Sequence, residues 1–224
     1  MLARNDFTPE RVAAYTQLAK HFGDANFLSE EERESSRVAT MAQHRLGADL
    51  WVFGYGSLMW NPAISVVESL PARINGFSRN FCMRLPFGRG MPDKPGLMLC
   101  LAPGGNCAGI AHRIALESVE SESKILWMRE MLSGAYTPTW VDLDFGDRHE
   151  RGVTFVINTT HPRYLPGLTI DEKATLIARA EGHLGTNRDY LFRTAIALEA
   201  AGIMDTYISE LSSRVRALVQ TKTE

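Results

Sequence analysis

Hydrophobic positions divide the chain into three stretches with different periods. Over about residues 8–47 the spacing is helical. Thr8 followed by Pro9 is a good helix start, because the fixed φ of proline suits a first turn. Val12, Tyr15, Leu18, Ala19 and Phe22 then form one apolar stripe. Ser29 and Glu32 have capping-box spacing for a second helix, which Gly47 is expected to end. Its apolar face is thin (Val38, Met41, Ala42) and its start is strongly acidic, so residues 1–47 read as an appended helical extension.

The middle stretch, about 49–158, changes to strand patterns. Leu50-Trp51-Val52-Phe53 is a continuous apolar run, as expected of a strand buried on both faces. Further strands are predicted over 72–85, 96–101, 109–115, 139–145 and 152–158, with Val141, Leu143 and Phe145 sharing a face. One helix, about Ser118 to Leu132, interrupts them. Residues 86–96 are too rich in Gly and Pro for either regular state and read as a loop. From about 169 the pattern is helical again. Thr169 and Glu172 make another capping box with Gly185 as the stop, and Thr186–Ala201 forms the next helix, followed by Gly202. Ile208, Leu211, Val215 and Leu218 line the last. A strand-rich centre with helices gathered at the ends predicts an α+β fold, with residues 48–224 as the main domain.

Composition narrows the class. The chain has 224 residues, 45% of them hydrophobic, enough for one domain with a substantial core. A formal charge of -2 gives no electrostatic reason to expect nucleic acid or an anionic membrane as partner. No apolar run approaches the roughly 18 residues that span a bilayer, and the first residues lack the apolar core of a signal peptide. The three cysteines, Cys82, Cys100 and Cys107, are odd in number and lack C-x-x-C spacing. They point to reduced thiols in a reducing compartment such as the cytoplasm. The histidines show no H-E-x-x-H spacing, so no metal is expected.

Two segments offer chemistry. The first is Gly54-Tyr55-Gly56-Ser57-Leu58, directly after the buried strand. Its glycines are expected to permit a tight turn with positive φ values that exposes backbone N–H groups toward a carboxylate or amide oxygen. A plain strand-to-loop turn fits the same residues. A dinucleotide fingerprint does not, since Met59 occupies the place of the third glycine, and G-x-S-x-G is absent. A serine hydrolase using Ser57 and His112 would therefore lack its elbow. The second segment is Trp127-Met128-Arg129-Glu130-Met131-Leu132. Glu130 falls near the end of a helix whose C′ residue is expected to be Gly134. The helix dipole and apolar neighbours would both raise its pKa toward the range useful in a general acid/base. An Arg129–Glu130 pair on a solvated helix face accounts for the same pattern.

Together these segments carry a family resemblance covering about residues 50–219. Trp51-Val52-Phe53-Gly54-Tyr55-Gly56-Ser57-Leu58 is similar to the strand and YGSL loop of the ChaC-type γ-glutamylcyclotransferases. Gly76-Phe77-Ser78-Arg79-Asn80-Phe81, Gly109-Ile110-Ala111-His112 and Asn187-Arg188-Asp189-Tyr190-Leu191 resemble later segments of that family in the same order. Arg129-Glu130 followed by Gly134-Ala135-Tyr136 resembles the segment that carries its catalytic glutamate, with Ala135 in place of a second glycine. The loop at 86–96 reads Gly88-Arg89-Gly90 where the family has D-H-R-G.

The resemblance implies a small mixed β-barrel or sheet surrounded by helices, with 48–224 as its catalytic domain. It implies Glu130 as the catalytic residue and Tyr55, Gly56, Ser57, Leu58, Arg79 and Tyr136 as substrate-binding positions. The implied reaction cleaves glutathione, or another γ-glutamyl compound, through attack by the substrate's own α-amine, without cofactor, metal or covalent enzyme intermediate. A carboxylate of the substrate would be met by Arg73, Arg79 or Arg89. An inactive binding module of the same fold is the alternative from another class. The sequence assigns no oligomeric state.

Overall fold

The computed structural model describes residues 4–21 and 26–220. At its centre is a closed barrel of five strands in the order β1-β3-β2-β4-β5. Strand β1 (Leu50–Gly54) is buried throughout because it has a neighbour on each edge and packing on each face. It runs antiparallel to β3 (Gly96–Ile114), with Leu50 opposite Ile114, and parallel to β5 (His149–Ile157), with Trp51 opposite Gly152. Strands β2 (Glu68–Leu85) and β4 (Tyr136–Asp144) complete the wall, the β5–β1 pairing closes it, and a bridge from Leu101 of β3 to Val156 of β5 is an additional pairing.

Alternation along β1 divides the core. Leu50 and Val52 pack with helix α4 (Val119–Glu130) through Leu126 and Trp127, while Trp51 and Phe53 join the helices that follow the barrel. Those are α5 (Ile170–Arg179), α6 (Asn187–Ala200) and α7 (Thr206–Gln220), which contribute Ile177, Leu191, Leu211 and Val215. The fold is α+β, as the pattern predicted.

Several boundaries differ from the pattern. The runs at 96–101 and 109–115 belong to one strand, β3, which stays paired with β2 from Leu85–Gly96 to Glu68–Arg113. Gly104 and Gly105, both at positive φ, carry the chain between them, and bulges at Asn75/Phe77 and Phe81/Met83 absorb the twist. Helix α5 ends at Arg179 and not at Gly185. A two-residue hairpin, β6 (Glu181–Gly182) with β7 (Gly185–Thr186), intervenes before Thr186 caps α6.

The N-terminal region forms α1 (Pro9–His21) and α2 (Glu30–Met41), the latter with both bonds of the Ser29–Glu32 capping box. In α1, Val12 and Ala19 are buried, but Leu18 is exposed, and Phe22 lies outside the described residues. In α2 the buried side chains are Arg33 and Arg37, while Val38 is exposed, and the helix stops before Gly47. Arg37 reaches Glu34 and Glu120 and donates to Ser123 at 3.0 Å, so α2 attaches to α4 through paired charge instead of an apolar stripe.

Trp127 anchors α4. Its ring is fully buried, lies edge-on to Phe155 at 5.2 Å, and donates from Nε1 to Ser36 Oγ at 3.2 Å. Trp127→Ala is expected to lower the unfolding free energy by about 3–5 kcal/mol, measured by urea denaturation.

Candidate active site

A mainly apolar-lined cavity of about 560 Å³ lies where the loop after β1 meets the end of α4. That volume suits a small-molecule ligand. Tyr55, Gly56, Ser57 and Leu58 form one wall, with Ser57 opening the single-turn helix α3 (Ser57–Trp60). Glu130, Arg129 and Tyr136 come from α4 and the start of β4.

The two glycines of the loop serve close approach. Neither Gly54 nor Gly56 is at positive φ, contrary to the sequence expectation. A Cβ on Gly54 would come within 3.0 Å of Leu58 Cβ, and one on Gly56 within 2.9 Å of the Tyr190 hydroxyl. The turn is tight because neighbouring atoms fill the space a side chain would need. The Tyr190 hydroxyl, from α6, therefore sits against the backbone of this loop at Gly56.

Glu130 is the last residue of α4, capped by Met131, while Gly134, at positive φ, turns the chain further on. Its carboxylate pairs with Arg129 Nε at 2.8 Å. Burial pushes the carboxyl's pKa up, and Arg129 pulls it partly back. The guanidinium is itself held by several partners. It donates to Ser57 Oγ at 3.0 Å and to the Asn61 carbonyl, and it lies over the Phe7 ring at 5.7 Å. The acid, its arginine and the loop serine are therefore one connected unit. The Arg129–Glu130 pair is largely buried, in place of the solvated helix face that the pattern alone allowed.

Tyr55 is buried and Tyr136 partly buried beside this unit. Tyr55 donates to the Phe155 carbonyl at 2.8 Å and Tyr136 to the Leu99 carbonyl at 3.1 Å. Burial raises both phenol pKa values well above the ordinary value.

Arg79 stands elsewhere. It does not line the cavity but sits behind the loop, donating to the Tyr55 carbonyl at 2.7 Å and to the Ala108 carbonyl, and pairing with Asp205 at 2.9 Å. It supports the loop and is not placed to touch a ligand in the cavity. Of the three arginines singled out in the sequence, Arg89 lines the cavity. It donates to the Thr186 carbonyl at 3.0 Å, and burial lowers its pKa. His112 is also turned away from Ser57, with its ring nitrogens 2.8 Å from Ser69 Oγ and 3.0 Å from the Leu58 carbonyl. A serine-hydrolase arrangement has no base here. Tyr190, Asn61 and Phe7 were missed as site residues. Tyr190 lies in the first turn of α6 within the Asn187–Leu191 segment that resembles the family, while Phe7, over a hundred positions from Glu130, carries no local signal.

The sequence model of the ChaC-like proteins matches residues 50–218. The chain belongs to the ChaC-like family. Among its relatives is the glutathione-specific γ-glutamylcyclotransferase of Escherichia coli (strain K12). The two are 42% identical over 192 residues, covering 85% of this chain and 83% of the relative. The glutathione-specific enzyme of Schizosaccharomyces pombe is 30% identical over 191 residues, covering 76% and 94% of the two chains. The crystal structure of a yeast γ-glutamyl cyclotransferase specific to glutathione superposes with a TM-score of 0.70. At 23% identity it covers 76% of this chain and 97% of its own, which establishes a shared fold. Among the described residues of this ChaC-like chain, no helix is long and apolar enough to cross a membrane. Among the same described residues, no cluster of three His, Cys, Asp or Glu side chains could hold a metal ion.

Removing the Arg129 cation leaves burial unopposed, so Arg129→Met is expected to raise the Glu130 pKa further. A carbon-13 NMR titration of the carboxyl reads this, and an unchanged or lower midpoint contradicts it. Arg79→Met strands the half-buried Asp205 and is expected to cost about 3–5 kcal/mol in chemical denaturation.

Proposed function

We propose that this chain is a γ-glutamylcyclotransferase that cleaves glutathione to 5-oxoproline and Cys-Gly, with Glu130 as general acid/base. The observation that carries the reading is the Glu130 carboxyl itself. It is desolvated, its pKa is raised, and it faces the cavity beside the Tyr55–Leu58 loop. The 42% identity to the Escherichia coli enzyme supports the choice of glutathione.

The γ-glutamyl group brings its own nucleophile, so the protein's work is folding, proton transfer and charge stabilisation. The γ-glutamyl end lies along Tyr55–Leu58, whose backbone N–H groups meet its polar oxygens. Tyr136 borders the same end. Glu130 takes a proton from the α-ammonium, and the freed amine attacks the γ-carbonyl carbon. A C–N bond forms within a five-membered ring, and backbone donors stabilise the oxyanion. The tetrahedral intermediate then collapses: Glu130 gives its proton to the departing cysteinyl nitrogen as that C–N bond breaks. The regenerated carboxylate relays the remaining extra proton of the ring nitrogen to the released amine, leaving 5-oxoproline and Cys-Gly. Ser57 Oγ, already accepting from Arg129, positions the loop and does not attack. Arg89 meets the glycine carboxylate at the far end. Residues 48–224 act as the catalytic domain and 1–47 as an extension. Buried, unpaired Cys82, Cys100 and Cys107 suit a reducing cytoplasm.

Incubation with glutathione is expected to release 5-oxoproline and Cys-Gly in equal amounts. Glu130→Gln should abolish turnover while still binding glutathione in calorimetry. Products from that variant at near wild-type rate would remove Glu130 from the mechanism. In the active enzyme, kcat/KM should fall as pH drops through the raised carboxyl pKa, because only the carboxylate can accept the proton.

A further inference from the structure

The family match begins at residue 50, yet the cavity is not closed by that part of the chain alone. Asp6, Phe7, Arg11, Val12 and Tyr15, all from the N-terminal segment, line the same space as Glu130 and the Tyr55–Leu58 loop. Their placement is specific. Phe7 is buried, and its ring supports the Arg129 guanidinium that holds Glu130, at the reacting end. Tyr15 stands at the other end, edge-on to Phe87 at 5.1 Å and 5.9 Å from His183, with Phe87 and His183 themselves 4.4 Å apart. This aromatic trio joins α1 to the 86–96 loop and to the β6–β7 hairpin.

The segment is fastened to the domain. Arg4 makes two bonds to Glu122, at 2.5 and 2.7 Å, and that buried carboxylate also accepts the Ser65 N–H at 2.9 Å. Val12 and Ala19 bury the inner face of α1. At the Tyr15 end the fit is close, since a Cβ on Gly88 would lie 3.3 Å from the Tyr15 hydroxyl. From Pro9 to Tyr15 the helix advances about 9 Å. Two extended residues span at most about 7 Å. The α1 wall is therefore long enough to run beside the whole leaving group, a cysteinyl-glycine, from the scissile bond to its carboxylate.

We infer that residues 4–21 form the specificity wall of the active site, with Phe7 and Tyr15 shaping the space that receives the dipeptide leaving group. This rests on the cyclotransferase reading above. Phe7 and Tyr15 act by contact and by excluding water, without transferring protons. Their loss should weaken the hold on substrate more than the chemical step. Arg11 pairs with Asp6 at the rim, where the segment meets solvent.

The test uses full-length protein and glutathione. Tyr15→Ala is expected to raise KM about tenfold while kcat stays within about twofold, the signature of lost binding contact. A merely structural role would lower kcat with the folded fraction and leave KM in place, and that result overturns the inference. Should Tyr15→Ala fail to fold, hydrogen exchange on the Glu130→Gln protein supplies the second arm. Saturating glutathione should slow exchange across 9–21, and unchanged exchange there overturns the wall. The two readings fail separately. Wild type that makes no 5-oxoproline from glutathione refutes the cyclotransferase. An active Tyr15→Ala enzyme with unaltered KM refutes only the wall.

Discussion

A carboxyl withdrawn from water beside a guanidinium is the constraint around which this structure is arranged. Burial raises the Glu130 pKa, and the Arg129 guanidinium beside it pulls the pKa partly back. Adjacent residues within a helix do not face one another, so the pair can close only because Glu130 is the final helical residue. The same guanidinium reaches Ser57, Asn61 and the face of Phe7, so the acid's position depends on the loop after β1 and on the N-terminal segment together.

Helix α4 must therefore be held firmly at both ends. Its apolar face is fixed by Leu126 and Trp127 against β1 and β5. Its outer acids are taken by the N-terminal region, Glu122 by Arg4 and Glu120 by Arg37. Exposed ion pairs contribute little. Here Glu122 and Arg37 are both buried, where removing one partner strands the other charge. The N-terminal region thus grips the helix that carries the acid and also walls the cavity the acid faces.

The loop opposite is supported by a second buried arginine. Arg79 satisfies its guanidinium with the Tyr55 and Ala108 carbonyls and with Asp205, which ties the Tyr55 backbone to the turn before α7. A residue marked by its motif as substrate-binding proves to act one layer behind. A motif records which residues occur together, not which of them faces the ligand.

Local signals in the chain determined a good deal. The buried run at 50–53, the capping boxes at Ser29 and Thr169 and the break at Gly202 follow from backbone chemistry within a few residues, and all were legible. So was the meeting of Tyr55–Leu58 with Glu130, through the order of motifs and not through periodicity. Tertiary structure alone decided the rest. The merging of two predicted strands into β3 needed β2 as a continuous partner. The buried arginine face of α2 needed the acid of α4, and the role of Tyr190 needed the missing Cβ of Gly56. The two loop glycines show the difference most directly. Their presence announced a tight turn, but the cause, contact with Leu58 and Tyr190 in place of positive φ, exists only once the distant chain is packed there.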